Sequence, residues 1–236
     1  IASCVFFEYI LRRMMKRPQT ISDMSAVVTG MLLGMNLPPT INPLYGVIGS
    51  FVAIGIAKQL FGGIGQNFAN PAIVGRIVLM LSFTASMSTW CKPFYYLNGA
   101  DVVTGATPLV SKDADYLSLL LGTTGGCIGE TCAIALIAGG IYLIAARIIT
   151  PHAPVAFIGT VFLLTLIAGD DPIYAVLSGG LIIGAFFMAT DYATTPLTGK
   201  GKIIFGIGCG LITFAIRKFG MQTLRTAFCP DSASTA

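Results

Sequence analysis

Ala26-Val27-Val28-Thr29-Gly30-Met31-Leu32-Leu33 is echoed far down the chain by Ala175-Val176-Leu177-Ser178-Gly179-Gly180-Leu181-Ile182. Both copies run small residue, aliphatics, hydroxyl, glycine and aliphatics again. Hydrophobic stretches fall along the chain at about 1–11, 23–37, 43–59, 72–89, 127–148, 154–169, 173–190 and 202–217. On that count the copies stand five helices apart, an odd number, so they are expected to cross in opposite directions. Inverted repeats put binding sites at their mutual interface, beside discontinuous helices.

Composition agrees with a membrane chain. Of 236 residues, 55% are hydrophobic and only 10% charged, where a soluble domain carries about a quarter charged. The fold class expected is therefore all-α and integral to the bilayer, with about eight spans visible. Several stretches are shorter than the ~20 residues a straight span needs. Leu37-Pro38-Pro39 and Thr190-Asp191-Tyr192-Ala193-Thr194-Thr195-Pro196 are the clearest breaks, tolerable at membrane depth where protein or a cavity surrounds them. Small residues spaced i,i+4 suggest close helix crossings at Gly30 and Gly34, Gly46 and Ser50, Gly180 and Gly184, and Gly206 and Gly210.

Lys and Arg placement sets the orientation. With Arg12, Arg13, Lys16 and Arg17 in the cytoplasm, Lys58, Arg76, Arg147, Lys200 and Lys202 join them; Lys92, Lys112, Arg217, Lys218 and Arg225 fall outside, nine against five. Arg217 and Lys218 are the dissenting pair. The positive charges follow the first apolar run, the reverse of a cleavable signal, so the numbering is expected to begin inside a longer protein. The net charge of +4 gives no ground for a nucleic-acid partner.

Several chemistries are disfavoured by what the chain lacks. The six cysteines form no Cys-x-x-Cys pair and read as small apolar packing residues. His152 is the one histidine and makes no metal site by itself. There is no Walker loop and no nucleophile–histidine set.

Ionisable residues at membrane depth remain candidates, since a lone charge there costs at least ~2.5–3.5 kcal/mol. Glu130, in Gly126-Cys127-Ile128-Gly129-Glu130-Thr131, reads either as an ion-pathway residue or as a helix cap. Asp191 reads as an Asx-type turn or as part of a polar pocket at a broken helix. Phe61-Gly62-Gly63-Ile64-Gly65-Gln66-Asn67-Phe68-Ala69-Asn70-Pro71 is a glycine-rich turn whose amides could bond a heterocycle, with Arg76 as a cation nearby. Its plainer meaning is a tight turn with an interfacial anchor.

The polar interval opens on Asp101-Val102-Val103-Thr104-Gly105-Ala106-Thr107-Pro108. Two small residues precede a hydroxyl whose backbone Pro108 biases toward extended. As loop chemistry this is ordinary, but it also resembles the D-x-x-[ST]-G-A-[ST] pattern at which a flavin transferase esterifies FMN through its phosphate. Gly62 to Ala72, Gly129-Glu130-Thr131 and Met188 to Pro196 resemble blocks shared by two sister proteins. These are the D subunit of the Rnf complex and the B subunit of the sodium-pumping NADH:quinone reductase.

The resemblance implies a bacterial inner-membrane protein of a ten-helix fold, two inverted five-helix repeats like those of urea transporters. It divides the single transmembrane domain, 1–236, into a first repeat at 1–90, an extracytosolic flavinylation loop at 91–126, a second repeat at 127–220 and an atypical tail at 221–236. It implies covalent FMN on Thr107, with Asp101, Thr104, Gly105 and Ala106 forming the transferase's recognition segment. A second, non-covalent flavin such as riboflavin is implied near Asn67, Asn70 and Arg76. The implied partners are the lipid bilayer, the flavin transferase during maturation, and other membrane and peripheral subunits, one carrying its own covalent FMN. Ferredoxin and NAD(H) are expected to react on those other subunits. The Thr194 to Lys202 run and the compact length favour the D subunit over the B subunit. A departure follows Gly220, where no tenth span can be built from the Ser/Ala-rich tail. A passive solute channel on the same fold is the competing class.

Overall fold

The computed structural model describes residues 1–67, 69–91, 93, 104–105 and 115–220. The first half holds α1 (Ala2–Met14), α2 (Ser25–Met35), α3 (Pro43–Phe51, continued by a π-helical turn over Val52–Gln59), α4 (Pro71–Ser82) and the short α5 (Thr84–Met87). The second holds α6 (Tyr116–Leu121), α7 (Ala133–Ala145), α8 (His152–Ile167), α9 (Pro172–Leu177), α10 (Leu181–Ile183, continued by a π turn over Gly184–Met188) and α11 (Gly199–Ala215, continued over Ile216–Gly220). Between them β1 (Trp90–Cys91) pairs antiparallel with β2 (Thr104–Gly105), Trp90 opposite Gly105 and Cys91 opposite Thr104. An all-α expectation misses this short ladder.

Helix starts explain the order. Asn42, Asn70 and Asp171 each precede a proline at the first helical position, and each side chain accepts from an amide two residues on, at 3.0 Å in all three. Proline loses nothing there, and such a cap contributes ~1 kcal/mol. Thr198 caps α11 through Gly201 N–H. Capped α3 and α4 in the first half thus correspond in order to capped α9–α10 and α11 in the second.

That correspondence differs from the echo in letters. Ala26–Leu33 lies wholly inside α2, whereas residues 175–182 cross from α9 through a break into α10. Ser178 is extended, and Gly179 and Gly180 take left-handed φ of 68° and 66°, which favours glycine. Short matches of apolar letters report a shared environment, not a shared register. By element order, α2 corresponds to α8.

Elements of each half pack chiefly on their own half. The tightest crossing joins α8 and α11. A methyl on Gly206 would lie 2.7 Å from the Ala153 carbonyl, and one on Gly210 2.7 Å from Thr160 Cβ. In the first half, Gly49 faces the Leu79 side chain and Gly75 faces the Gly49 carbonyl, a crossing the i,i+4 spacing did not single out. Gly34 and Gly184 face open space.

Polarity is inverted relative to a soluble domain. Glu8, Lys58 and Gln59 are buried while Leu81, Ile167 and Ile204 are among the most exposed side chains, as a lipid-facing surface requires. Among the described residues one helix, Gly199–Phe219, is long and apolar enough to cross a bilayer, and Ser25–Met35, Pro71–Ser82, Ala133–Ala145 and His152–Ile167 are shorter apolar helices. Residues 122–132, expected partly as helix, form turns before α7, and α6 occupies part of the interval expected as loop.

Gly206→Val should lower stability by about 1–3 kcal/mol through overpacking, seen as a drop in the thermal midpoint in detergent. Gly34→Ala, with nothing within 4 Å of its added methyl, should leave the midpoint unchanged or slightly raised.

Candidate functional site

The residues with chemistry gather where the 122–132 loop crosses the end of α2. Ile128 N–H donates to the Leu37 carbonyl at 3.2 Å and Gly129 N–H to the Met35 carbonyl at 2.7 Å. A Cβ on Gly129 would sit 2.8 Å from both Met35 Cβ and Ile183 Cδ1, so only glycine lets the loop lie so close. The next residue, Glu130, is thereby fixed against the α9–α10 break. A Cβ on Gly180 would lie 2.5 Å from Glu130 Oε1.

Arg76 approaches from α4. Its Nη1 donates to Asn36 Oδ1 at 2.6 Å, its Nη2 reaches Cys127 Sγ at 3.7 Å, and Nη2 stands 3.7 Å from Glu130 Oε1. Asn36, 1% exposed, is held in turn by the Leu32 carbonyl. Arg217, from the end of α11, donates to the carbonyls of Ala175, Ser178 and Gly179 at 2.6, 3.1 and 2.9 Å. Those carbonyls are orphaned by the break. A cleft of about 170 Å³ opens here, lined by Arg76, Trp90, Glu130, Thr131, Ser178 and Gly179. The buried Ser178 hydroxyl has no partner among the described residues.

The sequence-derived candidates separate on this geometry. Arg76 and Glu130 come together, and Glu130 is no helix cap, since Cys132 stands at the start of α7. Asn70 spends its oxygen on Ala72 N–H. Asn67 keeps a buried Oδ1 without a partner among the described residues, and Arg76 bonds Asn36 instead of either amide. Asp191 engages its own turn through Ala193 N–H and the Thr194 hydroxyl, at 3.4 and 3.5 Å, which is the Asx-type reading. Thr104 and Gly105 form β2, described here by backbone alone. Asp101, Ala106 and Thr107 lie outside the described residues.

Outside the spans, the Tyr116 hydroxyl donates to the Asp171 carboxylate. That bond, with the Tyr174 and Ile173 amides, holds the Asp171 carboxyl below its ordinary 3.8, and it raises the Tyr116 phenol. The cap contact is therefore fully present at neutral pH and lost as pH falls through the lowered value.

One cluster escaped the sequence reading. Glu8, fully buried, accepts from Lys58 Nζ at 2.8 and 3.0 Å, from the Thr20 hydroxyl at 2.9 Å and from Gln59 Nε2 at 3.2 Å. Lys58 also donates to Ser25 Oγ at 2.7 Å, and Arg12 lies 3.8 Å from the carboxylate. The signal was present: Glu8 is the one acidic residue of an apolar run, with Arg12 at i+4. Removing one member of such a pair strands a buried charge at a cost of about 3–5 kcal/mol, while removing both is far milder. Lys58→Met should therefore destabilise the detergent-solubilised chain strongly, and Glu8→Leu combined with Lys58→Met should recover most of the loss. Equal melting losses in the single and double variants would refute the pairing.

A model of the NQR2, RnfD, RnfE family matches residues 1–228. The chain is 46% identical over 229 residues to the D subunit of the Na(+)-translocating ferredoxin:NAD(+) oxidoreductase complex of Acetobacterium woodii, covering 93% of this chain and 71% of that protein. It is 45% identical over 242 residues to the D subunit of the proton-translocating ferredoxin:NAD(+) oxidoreductase complex of Clostridium ljungdahlii, covering 93% and 72%. Against the D subunit of the ion-translocating oxidoreductase complex of Rhodobacter capsulatus it is 38% identical over 234 residues, covering 83% and 65%. With a match of that extent and relatives of that similarity, this chain belongs to the NQR2, RnfD, RnfE family of membrane subunits.

Proposed function

We propose that this chain is the D-type membrane component of an ion-translocating ferredoxin:NAD oxidoreductase, carrying FMN esterified through its phosphate to Thr107. The observation that carries the reading is the similarity to D-type relatives at 46% and 45% identity, in a chain that holds the complete Asp101-to-Thr107 pattern. The same relatives favour the D type over the B type. Thr107 anchors the group as a phosphoester, and FMN supplies one-electron transfer when bound. Asp101, Thr104, Gly105 and Ala106 present the segment to the transferase. Ferredoxin and NAD(H) react on other subunits, and electrons pass through this one, between a partner with its own covalent FMN and the remaining carriers.

The accompanying architecture is two inverted five-helix repeats in a bacterial inner membrane, with the Thr107 loop extracytosolic. The recurrence of capped helices supports the repeat. Charge placement supports the orientation even after the internally paired cations are withdrawn. Lys58 and Arg12 stand against Glu8 and Arg76 faces Glu130 on one side of the count; Arg217 holds carbonyls and Lys218 bonds Asp170 at 2.7 Å on the other. Removing these three from the nine and two from the five leaves six against three, still a majority on the same side. A second, non-covalent flavin would meet the free Asn67 oxygen first, with Asn70 and Arg76 already engaged.

The test of the anchor is direct. In-gel flavin fluorescence of the denatured chain, co-produced with the transferase, should be bright for the wild type and absent for Thr107→Ala. Intact mass should exceed the polypeptide by one FMN less water. A dark wild-type gel accompanied by solute flux in liposomes would favour a passive channel, and a dark gel without flux a scaffold protein.

Ion movement belongs to the assembled complex. The 46% and 45% identical relatives are named for different ions, so similarity alone does not choose between sodium and protons. Glu130→Gln with Asp191→Asn is expected to reduce transport by the complex, chiefly through Glu130, since Asp191 is held in its own turn. Unchanged transport in the double variant would remove both from the pathway.

A further inference from the structure

We propose that the basic cleft framed by Arg147, Thr150, His152, Lys200 and Lys202 holds the phosphate of an anionic phospholipid headgroup. Such a seat requires neither bound flavin nor electron transfer, and it lies at the opposite end of α11 from Arg217.

Chain direction brings these residues together. Gly206 lies against the Ala153 carbonyl and Gly210 against Thr160, so positions rise together along both helices. α8 and α11 are therefore parallel and begin at the same end. Gly199 agrees, since a methyl there would stand 3.9 Å from His152 Nε2. α7 ends in the same place. Just past it the Ile148 carbonyl accepts from the Tyr192 hydroxyl, and Thr150 Oγ1 accepts from Lys202 Nζ at 2.9 Å. Two helices of 16 and 17 residues thus point their positive ends at one cleft.

Charge then selects the occupant. Arg147, His152 and Lys200 are exposed, and their side chains make no hydrogen bond or ion pair among the described residues. Lys202 has spent one of its three N–H donors, on Thr150. At the far end of α11 the cations are engaged, Arg217 on carbonyls and Lys218 on Asp170. The one acid in 145–155 and 188–204 is Asp191, and it faces its own turn. An anion finds three fixed cations and a histidine here, whereas the ammonium of a zwitterionic headgroup finds no carboxylate turned toward it.

Room and surface decide between a lipid and a soluble anion. A cavity of about 60 Å³ lies among Ile149, Thr150, Ala153, Thr195 and Lys202. By the volume one water needs, that holds about four water-sized groups, the number of oxygens on one phosphorus. Thr190 and Thr195 already donate to the Phe186 and Ala189 carbonyls, so the Lys202 ammonium and the Thr150 hydroxyl are the side-chain donors left to it. Around the rim Leu197 is 92% exposed, and Ile148, Val155 and Ile204 are exposed as well. Free phosphate has no use for that apolar margin, whereas acyl chains cover it. Basic pockets between spans commonly take phospholipid headgroups in this way.

The experiment uses the full chain, purified in detergent, stripped of lipid and titrated with phosphatidylglycerol or phosphatidylcholine, with bound lipid counted by native mass spectrometry. Phosphatidylglycerol should bind at least about fivefold tighter than phosphatidylcholine. Arg147→Gln with Lys200→Gln should weaken phosphatidylglycerol about tenfold or more, and Lys202→Gln should weaken it further. Arg13→Gln with Lys16→Gln, an equal loss of exposed charge from the first half, should leave it nearly unchanged. Equal binding of the two lipids, or equal losses in the two double variants, would overturn the seat. Displacement of the lipid by inorganic phosphate would make it a soluble-anion site instead. If the wild type ignores phosphatidylglycerol while Arg147→Gln with Lys200→Gln blocks co-purification with other subunits, the face is a contact for an acidic protein and the lipid proposal falls. Circular dichroism checks folding, and should Lys202→Gln fail that check, the Arg147 and Lys200 pair decides.

Discussion

Two backbone hydrogen bonds, from Ile128 to the Leu37 carbonyl and from Gly129 to the Met35 carbonyl, hold the arrangement together. A helix that ends leaves its last carbonyls without intrahelical partners, and at membrane depth no water replaces them. The loop between α6 and α7 supplies two of the missing donors from the other half of the chain. Because Gly129 has no side chain, the loop backbone comes within contact of both Met35 and Ile183. Glu130 follows directly, so the position of the carboxylate against Arg76 and the α9–α10 break is a consequence of satisfying α2.

The break in the second half poses the same problem and receives a different answer. There a side chain, Arg217, takes the carbonyls of Ala175, Ser178 and Gly179. A guanidinium has five donors in a planar fork, enough to cover three acceptors at once. This accounts for the charge that voted against the orientation. Arg217 is an internal cap, and its neighbour Lys218 is an ion-pair partner of Asp170. A rule that treats every Lys and Arg as an interfacial anchor misreads such residues, and it misreads Lys58 and Arg76 in the same way on the opposite side.

What could be read from the letters follows from the physics of each feature. The proline-after-Asn and proline-after-Asp helix starts and the Gly206–Gly210 face are local, and local chemistry determines them. Gly34 and Gly184 carry the same spacing and meet nothing, because a small residue permits a close crossing without causing one. The Ala26 and Ala175 copies fall on an unbroken helix and on a break for a related reason: aliphatic runs with a hydroxyl and a glycine suit both alike. The pairing of Trp90 with Gly105 depends on residues far apart in sequence and leaves no periodicity in two-residue strands. Glu8 was legible as a lone acid in an apolar run, but its partner Lys58 was hidden by being counted as an anchor.

The buried Glu8–Lys58 pair is not something the scaffold itself requires. α1 and α7 have the same length, and Glu8 and Gly139 are each the seventh residue of their helix. Lys58 stands as far beyond Pro43 as Phe187 stands beyond Pro172, each in or at a π turn. In the second half these corresponding positions also touch: a methyl on Gly139 would lie 3.2 Å from the Phe187 ring, and Phe186 covers Gly140. Matched by element order, the position is filled by an ion pair in the first half and by an aromatic ring on glycine in the second. The second solution carries no desolvation penalty, and well-packed apolar groups in place of a buried ion pair are often neutral or stabilising. A fold that can fill the position with phenylalanine does not need a carboxylate and an ammonium to close it. Lys58 lies within a π turn of the kind often found at functional sites, and Glu8 meets it from α1, so the first half holds buried charge where the element order of the second half holds phenylalanine on glycine.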